Sequence, residues 1–190
     1  MTAIKTRVAS ANITSEIINA LLTIGCIIEN YIFMPLVVSP MKEKSVCIGG
    51  TFDRLHRGHR TLIDKAFEVA GEKGRVFIGV VMNSKKNGVL SFEKRKKELM
   101  DYLERKGFVD RATIQPIFDK YGPSIERDFD AIVVSNETFP TAEEINEKRK
   151  RLGKKPLQII CIPFVLSKDG KPISSSRIRK GEIDREGNPR

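Results

Sequence analysis

From residue 45 onward, short apolar runs rich in β-branched residues alternate with charged segments of helical period. The runs at 46–49, 76–82, 112–118, 131–135 and 157–165 predict strands. The segments at 59–70, 92–106 and 142–152, with a short terminal one at 174–180, predict helices. In the first of these, Leu62, Ile63, Ala66, Phe67 and Ala70 share one face, Asp64, Lys65 and Glu68 the other, and Gly71 stops the helix. The third carries Thr141 and Glu144 at capping-box spacing and ends at Gly153. Strands that alternate with helices in this way need crossover connections, and right-handed crossovers place the helices on the two faces of a sheet. The expected fold is α/β, doubly wound, with a mainly parallel five-stranded sheet. Such sheets bind ligands beyond the carboxyl ends of their strands, so the chemistry is expected in the residues that follow each strand.

The first 40 residues break the pattern. Their apolar stretch 17–38 is interrupted by Asn19, Glu29, Asn30 and Pro35. A membrane span would bury Glu29 and Asn30 near its middle, at a high cost, and a signal peptide would need a small-residue cleavage site that is absent here. The segment 1–40 is therefore expected to be an extension outside the working domain, 41–190, with Met34 and Met41 as alternative starts ahead of the first strand.

Composition narrows the class. With 190 residues, 40% hydrophobic and 31% charged, the chain supports one soluble globular domain without a disulfide or metal staple, and a disordered or fibrous protein is excluded. Cys26, Cys47 and Cys161 lie far apart in apolar runs and read as small core residues of a reducing compartment, the cytoplasm. The net charge is +10, and because Lys5 and Arg7 cancel Glu16 and Glu29, all of it belongs to residues 41–190. An anionic partner is expected there.

The densest chemistry follows the first strand, where Gly49-Gly50-Thr51-Phe52-Asp53-Arg54-Leu55-His56-Arg57-Gly58-His59 contains both histidines of the chain. The glycines let backbone approach a ligand closely. A helix starting near residue 56 sets His56 and His59 one turn apart, beside the free N–H groups of its first turn, which makes an anion site. A histidine pair at this spacing also suits a metal, but Asp53 alone does not complete a ligand set. Phe52 and Leu55 read as packing residues, and Asp53 as a brace of the loop. Near the other end, Ile173-Ser174-Ser175-Ser176-Arg177-Ile178-Arg179 follows Gly170 and Pro172. One serine is explained as a helix cap; three, with two arginines, make a second polyphosphate cradle.

The first segment resembles the G-T-F-D-x-x-H-x-G-H motif of the nucleotidylyltransferase superfamily, and the second its I-S-S-[ST]-x-I-R element. The resemblance implies a Rossmann-like fold that transfers a nucleoside monophosphate from a triphosphate to a phosphate-bearing acceptor. It implies catalytic roles for His56 and His59 on the triphosphate and for Thr51 in orienting the acceptor. Gly49, Gly50, Gly58, Ser174, Ser175, Ser176, Arg177 and Arg179 are implied to bind ATP, Arg177 being an extra charge of open use. The superfamily also carries a lysine in the loop after strand two and an arginine early in the next helix, which points to Lys85 or Lys86 and to Arg95; both are otherwise ordinary surface positions. Val134-Ser135-Asn136-Glu137-Thr138 is similar to the V-S-x-E-T element of the archaeal and eukaryotic phosphopantetheine adenylyltransferases, which adds Ser135 and Glu137 as substrate contacts.

That resemblance covers residues 45 to 185 and implies ATP and 4′-phosphopantetheine as substrates, magnesium carried with ATP, and no dedicated protein metal site. A cytoplasmic monomer with no membrane or nucleic-acid partner is expected. A sister enzyme that adenylates FMN, or uses CTP with an alcohol phosphate, shares the same two motifs. An RNA-binding protein would use the basic run 148–155, but aromatics make up only 7% of the chain and offer no stacking platform.

Overall fold

The computed structural model describes residues 43–82 and 87–190. The segment 1–40, Cys26, Lys85 and Lys86 lie outside the described residues. Five strands, β1 (Ser45–Gly50), β2 (Arg75–Val81), β3 (Ala112–Ile117), β4 (Ala131–Ser135) and β5 (Gln158–Ile162), form one sheet in the order β3-β2-β1-β4-β5. Every neighbouring pair is parallel. The helices are α1 (Arg57–Ala70), α2 (Phe92–Lys106), α3 (Phe139–Arg151) and α4 (Ser175–Arg179). Because β1 is flanked by β2 on one side and β4 on the other, the chain reverses its direction of travel across the sheet there, and a crevice opens between the two connections.

Side chains alternate between two cores, as a sheet covered on both faces requires. Val46 and Ile48 join Ile63, Ala66, Leu99 and Leu103 on the face covered by α1 and α2. Cys47 and Phe77 join Ile132, Val134, Ala142 and Ile145 on the face covered by α3. The five apolar positions expected on α1 are the five that it buries. Pro116, which cannot donate to a ladder, is accommodated in β3 because that strand lies at the edge.

Three expectations are corrected. Helix α3 begins at Phe139, three residues early, so Thr141 lies inside the first turn and no capping box forms. Thr138 is the cap residue, with Pro140 in the first turn, where its fixed φ suits a helix start. Glu144 instead binds Lys120 and accepts from the Tyr121 hydroxyl at 2.8 Å. Strand β5 stops at Ile162, because Pro163 has no N–H to continue the ladder. Cys161 is exposed on that edge strand, with its thiol on Asn136 Oδ1 at 3.1 Å, whereas Cys47 is buried as expected. Burial pushes the Cys47 thiol up to about 12, so it is an inert core residue.

Candidate active site

The carboxyl ends of the strands open into a cleft of about 530 Å³. Gly49 and Gly50 from β1, Val81 from β2, Ile117 from β3, Ser135 from β4 and Ile162 from β5 line it, together with the starts of α1 and α4. After Gly50 the backbone is driven into the left-handed region at Phe52 (φ 51°) and Arg54 (φ 48°), an unfavourable conformation for residues with a side chain. Phe52 and Leu55, both buried, anchor the bend, and the Leu55 N–H donates to Glu98 Oε2 at 2.8 Å. Both read correctly as packing residues.

The bend delivers His56 to the cap position of α1, where its Nδ1 accepts the His59 backbone N–H at 3.4 Å. An accepting Nδ1 carries no proton, so in the neutral ring the hydrogen sits on Nε2. The two imidazoles stack with centroids 3.7 Å apart. Burial, reinforced by Arg60 against Asp53, lowers His56 to about 4. Burial first, then His56 and Arg60, holds His59 well below the usual histidine value. Both rings are therefore neutral N–H donors at physiological pH. His59 Nδ1 is buried with no hydrogen-bond partner among the described residues, an orphan that a ligand in the cleft would satisfy. The first turn of α1 offers fewer free amides than expected, because the Arg57 N–H donates to the Arg185 carbonyl at 2.9 Å and that of His59 to His56.

Gly58 acts differently from a loop glycine. It is helical, and a Cβ there would stand 3.2 Å from both Cε1 and Nδ1 of His56. Gly58→Ala is expected to keep or raise stability by up to about 1 kcal/mol, as alanine favours a helix. It should lower turnover by about tenfold by displacing the imidazole a few tenths of an ångström from its productive position. Thermal melts and initial rates on the same preparation check both halves.

The second cradle packs directly on the first. Ser174 caps α4 by accepting the Arg177 N–H at 3.4 Å, Ser175 Oγ donates to the Asp53 carbonyl at 2.8 Å, and Ser176 Oγ accepts from Arg179 Nη2 at 3.0 Å. All three serines and Arg179 line the same cleft as His56, Gly58 and His59. Thr51, Ser135 and Glu137 line it as well, and the Ser135 N–H donates to Thr138 Oγ1 at 3.1 Å.

Two arginines are placed elsewhere. Arg177 is spent on Asp169, on Glu182 at 3.0 Å and on Ser167 Oγ at 2.8 Å, and does not line the cleft. Arg95 is buried beneath the loop, donating from Nε to the Leu90 carbonyl (2.9 Å) and from Nη1 to those of Thr51 (2.6 Å) and Val81 (2.9 Å). Its place early in α2 did suggest contact with the loop, but as a support for it. Lys120 and Tyr121, also on the cleft wall, carry no motif; their signal was a cation and an aromatic just after the third strand, where such sheets bind ligands. Within the basic run 148–155, Arg149 turns inward to the carbonyls of Ser124, Arg127 and Lys155, and Lys154 donates to that of Glu126.

The family described as cytidylyltransferase-like matches residues 47–181. A phosphopantetheine adenylyltransferase of Methanosarcina mazei is 47% identical over 146 residues, spanning 75% of this chain and 94% of the relative. The chain belongs to the phosphopantetheine adenylyltransferases, within the cytidylyltransferase-like family. A second phosphopantetheine adenylyltransferase, from Methanopyrus kandleri, is 50% identical over 147 residues, 74% of this chain and 91% of its own length. Among solved structures, a protein of unknown function from Archaeoglobus fulgidus superposes with a TM-score of 0.57 at 37% identity, covering 62% of this chain and 88% of its own. The family match begins inside β1 and ends just after α4, so it takes in both cradles of this phosphopantetheine adenylyltransferase-type cleft.

Proposed function

We infer that the chain transfers the adenylyl group of ATP to the phosphate of 4′-phosphopantetheine, forming dephospho-coenzyme A and releasing pyrophosphate. The observation that carries this reading is the joining of two anion-binding elements across one cleft: the stacked histidines of α1 and the serines with Arg179 of α4. A phosphate monoester has its second pKa near about 6 and is largely a dianion at neutral pH, so the nucleophile needs no general base. The barrier lies in holding two polyanions in line and in stabilising charge as it moves onto the departing pyrophosphate. Neutral imidazole N–H groups, serine hydroxyls and a guanidinium supply that stabilisation with little reorganisation. His56 and His59 thus act as preorganised donors, and Thr51, where β1 opens into the cleft, orients the acceptor.

Magnesium enters with the triphosphate as part of the substrate. No cluster of three or more His, Cys, Asp and Glu is assembled among the described residues, and the donors of both cradles suit phosphate oxygens. The metal is then held by substrate oxygens and water, while the chain holds the phosphates. Both cradles come from one chain, which suits a monomer, and free Cys47 and Cys161 suit the reducing cytoplasm. No described helix is long and apolar enough to cross a membrane.

The test is pyrophosphate release with ATP or CTP against 4′-phosphopantetheine, FMN, nicotinamide mononucleotide and glycerol phosphate. ATP with 4′-phosphopantetheine is expected to turn over fastest by at least about a hundredfold, since the wrong acceptor leaves buried polar groups unpaired. Preference for FMN, or for CTP with glycerol phosphate, would replace this reading by a sister transferase.

A further inference from the structure

Asp53 is fully buried, yet three separate segments converge on it. Its Oδ1 accepts the Leu90 N–H at 2.9 Å, from the stretch that leads into α2. Its Oδ2 accepts Arg54 Nη1 at 2.9 Å and Arg179 Nη1 at 2.7 Å, and its carbonyl accepts Ser175 Oγ at 2.8 Å. Arg54 Nη1 in turn donates to the Gly88 carbonyl at 3.0 Å. A buried carboxylate is costly unless paired, and these partners pair it: burial raises its pKa, but Leu90, Arg179 and Arg54 outweigh that and hold it below the ordinary aspartate value.

The consequence falls on Arg179. Each terminal nitrogen of a guanidinium carries two hydrogens, and the contacts to Asp53 and to Ser176 Oγ occupy one on each. The planar group is thereby fixed at two points, with one hydrogen on each nitrogen left over on a side chain that lines the cleft. A flexible arginine would lose considerable rotamer freedom on gripping a phosphate, whereas one already clamped loses little.

We propose that Asp53 is a positioning residue for the nucleotide: it acts through Arg179, presetting that guanidinium and tying α4 to the loop of the histidine pair, so that both cradles meet one triphosphate at a fixed separation. The proposal rests on the adenylyl-transfer reading for the identity of the nucleotide, not for the geometry. Asp53→Asn is the informative variant. Its amide oxygen can still accept the Leu90 N–H, but its NH2 group faces two guanidinium donors and cannot hold them.

Asp53→Asn is expected to lower kcat/KM for ATP by about thirtyfold or more, with KM for the acceptor changed less than about twofold, as for a preorganised charged contact. Arg179→Ala should lower it comparably, and in the Arg179→Ala background the Asp53→Asn change should add less than about threefold, because the two residues act as one unit. A purely structural aspartate would instead weaken both substrates and give additive losses; that result, or wild-type ATP kinetics in Asp53→Asn, overturns the proposal. Equilibrium binding of Mg-ATP to the same four proteins gives a second readout. Should the wild type fail to turn over 4′-phosphopantetheine, the functional reading falls, while the nucleotide-binding cycle still decides the role of Asp53.

Discussion

His59→Ala is expected to reduce turnover by at least about a hundredfold, the scale of removing one preorganised donor from a developing charge. The fold should survive. His59 Nδ1 has no partner to orphan, alanine is a better helix former in α1, and the ring's losses are limited to its stacking on His56 and a tilted contact 5.3 Å from Phe52. A melting temperature close to wild type, together with unchanged far-UV circular dichroism, would separate lost chemistry from lost structure. Near-normal turnover would remove the histidine pair from the mechanism. The same pair predicts how stability responds to acid. The folded pKa of His56 is about 4 against 6.5 for the free side chain, and His59 is shifted in the same direction. Between those values the unfolded chain binds protons that the native state refuses, so stability falls as pH drops through that window and this contribution is level above it. His59→Ala should make the acid side of the stability profile shallower.

Arg95→Ala carries the largest expected effect on stability. Its guanidinium is buried and satisfies the carbonyls of Leu90, Thr51 and Val81 at once. An unsatisfied buried polar group costs roughly 1–3 kcal/mol, so the variant should lose about 3–5 kcal/mol in all. For a domain of this size that corresponds to a fall in Tm of about 10 °C or more. Activity should fall with it, since Thr51 and the bend behind it lose their support. Arg95→Lys should recover part of the stability, because one ammonium can still reach some of the carbonyls. An arginine reaching the triphosphate would behave differently: Tm would hold and only the KM for ATP would rise. A calorimetric scan and a kinetic titration on the two variants distinguish these outcomes.

Much of this site was legible in the order of residues. The strand–motif–helix sequence after β1 has a mechanical meaning, in that two glycines, a bend and a helix start leave few places for His56 and His59 to go. The serine run before α4 was equally clear, because three hydroxyls and two arginines exceed what capping one short helix requires. The arginines resisted the same logic. Arg95 sits among Glu93, Lys94, Lys96 and Lys97, and local charge density does not reveal that one of the cations points inward to three carbonyls. Arg177 and Arg179 are two residues apart, yet Asp169 and Glu182 claim the first and Asp53 the second. Those acids are up to 126 residues distant, and nothing near in the chain marks them.

Local period, turn chemistry and motif thus determined the doubly wound sheet, the end of it that carries the chemistry, and the residue types that meet phosphate. They could do so because strands, helices and tight loops are governed by neighbours a few residues away. Which cation serves a ligand and which holds up the scaffold was decided only by folding. A long charged side chain takes its role from the partners that surround its tip, and the path of the chain over the sheet supplies those partners from remote segments.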